Sequence, residues 1–105
     1  MKAFYAAALE PLGFGIIMEF PGAVGFGPSG RPQFWLHQGA PTTSIHIALH
    51  AEDEAGVQAF HAAGLAAGGT DNGQPGLRQY HPGYYAAYVH DPDGNNIEAV
   101  FHGQP

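Results

Sequence analysis

Nine acids, seven histidines and no cysteine set the chemistry open to this chain. Thiolate nucleophiles, disulfides and cysteine-based zinc sites are excluded, and any metal must be held by His, Asp or Glu. Two positions stand out by their setting. Glu98 lies in Ile97-Glu98-Ala99-Val100-Phe101, where a carboxylate among apolar neighbours needs a cation or water. His46 belongs to the alternating run Ser44-Ile45-His46-Ile47-Ala48-Leu49-His50. In an extended chain Ile45, Ile47 and Leu49 take one face and His46, Ala48 and His50 the other; by the same period Glu98 opposes Ile97, Ala99 and Phe101. His50 stands four residues beyond His46, about 13 Å along a strand rising roughly 3.3 Å per residue, so one ion cannot take both. His102 is separated from Glu98 in the same way.

Around these positions lie groups suited to substrate contact. Tyr80-His81-Pro82-Gly83-Tyr84-Tyr85 is aromatic with polar tips, fit to line a pocket mouth or to hydrogen-bond a substrate oxygen. Packing alone explains that segment equally well. Trp35 and His37 share a strand face, and Arg78 is one of three cations available to an anionic substrate. Plainer readings stand beside these: His46 as a polar residue tolerated on a half-solvated face, Glu98 as solvated or paired with arginine. His37, His61, His90 and His102 read as ordinary surface or strand-edge residues.

The elements that must position these groups are short. Residues 2 to 10 are rich in helix formers, with Phe4, Ala8 and Leu9 spaced for one buried face and Pro11 followed by Gly13 as the stop. Extended runs follow at Ile16 to Phe20, Val24 to Gly27 and Phe34 to His37. After Ser44 to His50, Asp53 is the expected N-cap of a helix from Glu54 to about Ala67, with Val57, Phe60 and Gly64 inward and Gly68-Gly69 as the stop. Tyr84 to His90 and Ile97 to His102 form a hairpin around Asp91-Pro92-Asp93-Gly94, and a weaker strand is expected around Leu77 to Gln79. The hairpin register, and with it whether Tyr88 or Val89 lies beside Glu98, is not set by the sequence.

Composition narrows the partners. At 105 residues and 45% hydrophobic, the chain suits one domain of modest core. Three basic residues against nine acidic ones, a formal charge of −6, leave no electrostatic footprint for nucleic acid or an anionic membrane. No apolar run is long enough to span a bilayer and no signal-like segment opens the chain, so the expected location is the cytoplasm.

The chain also repeats itself: Ala3-Phe4-Tyr5-Ala6-Ala7-Ala8-Leu9 recurs as Ala59-Phe60-His61-Ala62-Ala63-Gly64-Leu65, a little over half the chain further on. His61 takes the place of Tyr5, which suggests the helix surface. Two units are expected, residues 1–40 and 43–103. The strand that opens the second has no counterpart in the first, because that counterpart would precede Met1.

The repeat, the Ile45-His46-Ile47-Ala48 run and the sequence Asp91-Pro92-Asp93-Gly94-Asn95-Asn96-Ile97-Glu98 together resemble the vicinal oxygen chelate superfamily of glyoxalases, bleomycin-resistance proteins and extradiol dioxygenases. The resemblance covers nearly the whole chain. It implies an α+β fold of paired β-α-β-β-β modules forming a cupped mixed sheet with helices on the outer face, here without the first strand. It further implies His46 and Glu98 as ligands of one divalent ion, Fe(II), Mn, Ni or Zn, with Glu98 also catalytic and the third ligand, the opening-strand histidine of the first module, missing. A possible fourth family ligand aligns near Trp35, which cannot coordinate.

The function so implied is a metal-dependent lyase, isomerase or oxygenase that chelates adjacent oxygens of a small molecule, with Trp35, Arg78, Tyr80, His81 and Tyr84 as substrate contacts. The alternatives are a metal-free small-molecule binder of the bleomycin-resistance type and an inactive, truncated fragment. The general base is not identified. A homodimer is expected, since an absent first strand leaves an unpaired sheet edge and members of this size build their cups across a subunit interface.

Overall fold

The computed structural model of the chain describes residues 1–28, 30–39 and 45–103. Helix α1 (Lys2–Leu9) runs into a 3₁₀ turn, Glu10–Leu12, where Pro11 is accommodated in the first turn. Gly13, at φ +84°, closes it by donating to the Glu10 carbonyl. Strands β1 (Gly15–Phe20), β2 (Ala23–Gly27) and β3 (Phe34–His37) form an antiparallel sheet in the order β1-β2-β3. Strand β4 (His46–His50), helix α2 (Glu54–Ala66) and strands β5 (Thr70–Leu77), β6 (Tyr84–His90) and β7 (Asn96–His102) follow. Their sheet is mixed, in the order β4-β7-β6-β5, with β4 parallel to β7. The fold is α+β as expected, but the strands divide into two sheets rather than one. Among the described residues the first sheet lacks the parallel strand that β4 supplies to the second.

Helix α2 starts where its cap dictates: the Asp53 carboxylate accepts from the Gly56 N–H at 2.7 Å. Its alanines and glycines allow close approach. A Cβ on Gly64 would meet a Val89 methyl at 3.3 Å, and one on Gly69 would overlap Val89 and Phe4 at 2.5 and 2.7 Å. The two helices pack on each other and on one face of both sheets. Phe4, Leu9, Phe26, Val57, Phe60, Val89 and Ile97 thereby join a single buried core. Among the described residues no helix is long and apolar enough to cross a membrane.

Three expectations are corrected here. The strand placed around Leu77 to Gln79 instead runs from Thr70 to Leu77. Its Asn-Gly-Gln-Pro-Gly sequence hid it; pairing with β6 imposes an extended path through two register shifts, one at Gly73, whose φ of +156° suits glycine. The first part of the run Ser44–His50 shortens to a strand from His46, and Ser44 lies outside the described residues. His61 is not on the helix surface. It is 9% exposed, and its Nε2 lies 2.8 Å from the Asp71 carboxylate on β5, which gives that nitrogen a partner within the protein. Tyr5, its repeat partner, is likewise buried, and its hydroxyl donates to Asp91.

Candidate metal and substrate site

The Asp91-Pro92-Asp93-Gly94 turn sets the geometry of the site. Asp91 is buried, and its carboxylate accepts from the N–H groups of Asp93 and Asn95, each at 2.9 Å, from the Asn95 side chain, and from Tyr5. Burial alone would raise the Asp91 pKa, but these hydrogen bonds outweigh it and hold the carboxyl below its ordinary value. The ordered turn then pins the start of β4. Asn95 Oδ1 accepts from the Ile45 N–H at 3.1 Å, and the Asn96 N–H donates to the Ile45 carbonyl at 2.9 Å. That fixes His46 opposite Asn96 and Ala48 opposite Glu98.

His46 and Glu98 consequently meet on the face turned away from the helices, with His46 Nε2 2.8 Å from Glu98 Oε1. Glu98 is 2% exposed, while the His46 side chain is 54% exposed. The second carboxylate oxygen accepts from the Tyr84 hydroxyl. The register resolves the hairpin question: Tyr88, not Val89, stands opposite Glu98, and its ring lies 6.3 Å from that of His46. Arg78 lies over the Tyr88 ring at 5.3 Å, held by the Gln74 carbonyl at 2.8 Å. Burial, helped by the neighbouring Glu98, pushes the Tyr88 hydroxyl up to about 12 and raises that of Tyr84 further. Both phenols remain protonated at neutral pH, so Tyr84 donates a hydrogen bond and is no base.

The structure therefore brings His46, Glu98 and Tyr84 into direct contact. Tyr80 and His81 follow through their edge-on packing against Tyr84, at 4.9 and 5.2 Å between ring centroids. Arg78 joins through Tyr88. Trp35 stands on the other sheet, its ring over Gly25 and stacked on His37 at 6.1 Å. A Cβ on Gly25 would lie 2.9 Å from that ring, so glycine leaves the room it occupies. The sequence left Tyr88 and Val89 open as the neighbour of Glu98, and the register selects Tyr88. Sequence reasoning missed the partner of His102, read as an ordinary surface group but paired with His81. The fit to a metal is partial: His46 and Glu98 offer two adjacent ligands, and no group of three His, Asp or Glu that could hold an ion occurs among the described residues. A separate cleft lies among Met1, Lys2, Phe20, Ala23, His37 and Asp93.

No family model matches the chain, and no curated protein does. Solved structures do. A glyoxalase/bleomycin resistance protein from Albidiferax ferrireducens T118 is 33% identical, with a TM-score of 0.82 over 99% of this chain and 87% of that one. Lactoylglutathione lyase from Agrobacterium tumefaciens is 20% identical, with a TM-score of 0.62 over 95% of this chain and 84% of that one. The Mn(II)-bound glyoxalase from Novosphingobium aromaticivorans is 24% identical, with a TM-score of 0.50 over 96% of this chain and 35% of that one. At these identities the last two speak for the fold alone. The first, spanning almost all of both chains at higher identity, places this chain in the glyoxalase/bleomycin resistance protein family of the vicinal oxygen chelate superfamily.

Proposed function

We propose that this chain is a metal-dependent enzyme of glyoxalase type, a lyase, isomerase or oxygenase acting on a small molecule with adjacent oxygens. The observation that carries the reading is the nearly buried Glu98 carboxylate facing His46 Nε2 at 2.8 Å. A buried carboxylate is costly unless its charge is matched, and a divalent ion held by both side chains would match it more fully than one imidazole. When bound, the ion supplies Lewis acidity to the substrate oxygens. His46 and Glu98 would hold it, with a third ligand from a strand lying along the edge of β3, which among the described residues pairs with β2 alone.

The chain's own groups supply the rest. Tyr84 keeps its proton and orients Glu98 through the second carboxylate oxygen, leaving Glu98 as the group able to take a proton from a substrate carbon or oxygen. Arg78, Tyr80 and His81 border this face, and Arg78 suits a single carboxylate on the substrate.

The working unit we propose is a homodimer. Within one chain the His46 side chain is 54% exposed, while the open face of the three-stranded sheet carries exposed Met18, Phe20 and Trp35. A partner's apolar face would complete the cup.

Titration of the purified protein with Mn(II), Ni(II) or Zn(II), followed by calorimetry, tests the metal reading. Binding is expected, weakened at least ~10–100-fold in Glu98→Gln and in His46→Ala, since even losing a ligand's hydrogen-bond partner costs that much. Equal affinity in the variants, or no binding by the parent chain, overturns it. A second reading, a metal-free binder of the bleomycin-resistance type, draws support from exposed Trp35 and Tyr80. Small-molecule binding that survives His46→Ala without metal would establish it instead.

A further inference from the structure

Beyond His46 and Glu98, the same sheet face carries three further imidazoles that the proposed ion does not engage, one of them, His81, also bordering the proposed substrate face. His102 lies at the end of β7, His50 at the end of β4, and His81 in the connection before β6. His81 Nε2 and His102 Nδ1 are 2.9 Å apart, their rings stacked at 5.1 Å and 19°. The His50 ring lies parallel to that of His102, at 6.4 Å and 8°. All three are exposed.

The hydrogen bonds fix how His81 presents itself. Its Nδ1 is 2.9 Å from the Pro82 carbonyl, which can only accept, so Nδ1 carries a proton. In the neutral ring Nε2 is then a bare lone pair, aimed at His102. A ring nitrogen tied to a backbone carbonyl with the other nitrogen free is how metal-ligating histidines are held. Two imidazole nitrogens bound to one ion at about 2.0–2.1 Å stand roughly 3 Å apart, close to the spacing already present. His102 needs only to move its Nδ1 proton to Nε2, which makes no other hydrogen bond among the described residues.

We propose that His81 and His102, with His50 as the nearest third imidazole, form a binding site for a borderline transition ion, Zn(II), Ni(II) or Cu(II), separate from the His46–Glu98 pair. Neutral nitrogen donors without carboxylate select these ions over Mg(II) or Ca(II). His50 as it stands is too distant to complete a three-ligand set, so the pair is the core and water fills the remaining positions. His102 lies four residues from Glu98, about 13 Å along the strand, so the two sites hold different ions. An ion here ties the connection carrying Tyr80 and His81 to the end of β7, next to the Tyr84 ring that reaches Glu98.

The test uses the Glu98→Gln chain, which removes the other proposed site, titrated with Cu(II) and Ni(II). One equivalent is expected to bind, with Cu(II) resonance spectra showing coupling to at least two imidazole nitrogens. His81→Ala and His102→Ala should each weaken it at least tenfold, His50→Ala less, and His37→Ala, an exposed histidine on the other sheet, not at all. Hydrogen exchange of residues 78–84 should slow with Ni(II) unless His102 is replaced. Binding insensitive to His81 and His102, equal losses in His37→Ala, or a single coupled nitrogen overturns the proposal. Because these outcomes are read without Glu98, they leave the glyoxalase-type reading untouched.

Discussion

The two sheets of this protein share a hairpin-rich topology and a common core, yet their open faces have opposite chemistry. On the three-stranded sheet, Met18, Gly25 and Trp35 lie in register, as do Phe20, Ala23 and His37. That face is apolar, with Phe20 57% and Trp35 37% exposed. On the four-stranded sheet the corresponding surface holds His46, Glu98, Tyr84, Tyr88 and His102. One face is mainly apolar, with His37 at its edge, and the other carries imidazole, carboxylate and phenol groups. The proposed dimer would set these two unlike faces opposite each other.

The largest effect is expected from making the apolar face polar. Phe20→Ser combined with Trp35→Ala removes two large apolar side chains, each worth about 1.5–3 kcal/mol when buried. The dimer dissociation constant should rise roughly 100-fold or more, read by sedimentation at micromolar protein. A parent chain that sediments as a monomer would sink the paired-cup reading outright.

Next in size is the contrast between repeat-related Tyr5 and His61, each of which holds an aspartate. Tyr5 holds the buried Asp91, whereas His61 holds Asp71, whose side chain is 45% exposed. Tyr5→Phe leaves a buried carboxylate short of a donor and should cost about 1–3 kcal/mol, lowering Tm by roughly 5–15 °C. Asp71→Asn, on a solvent-screened carboxylate, should shift Tm far less. Comparable losses in thermal melts of both variants would erase the distinction.

The smallest effect is the pH dependence that follows from Asp91. Despite its burial, hydrogen bonds keep its folded pKa below the unfolded value, so it contributes stability above about pH 4 and that contribution is lost as pH falls through the folded value. Melting temperature should therefore decline on the acid side of about pH 4, and the decline should be shallower in Asp91→Asn. An unchanged acid limb in that variant would assign acid sensitivity to other carboxylates.

His46 and Glu98 were legible in the sequence because period-two alternation places them on one face whatever the surroundings, and the Asp-Pro-Asp-Gly turn is local chemistry. Strand β5 was not, since Asn72 to Gly76 has turn composition and is extended only because β6 pairs with it. The burial of His61 was hidden for a similar reason: its partner Asp71 sits on that same unread strand. Tyr88 beside Glu98, and His102 beside His81, depend on hairpin register and on a connection packing back over a strand end. Neither is encoded within a window of a few residues.

The buried carboxylate of Asp91 has a consequence for how the molecule is made. It holds the turn that sets β4 beside Glu98, and it also takes the Tyr5 hydroxyl, 86 residues earlier in the chain. A contact of such sequence separation is slow to form, because a large loop must close before it is rewarded. On a ribosome the first helix emerges long before its anchor, and His46 and Glu98 cannot reach their final spacing until that anchor arrives. The Tyr5 contact and the His46–Glu98 pair thus depend on the same turn, one that the chain supplies only after both earlier partners.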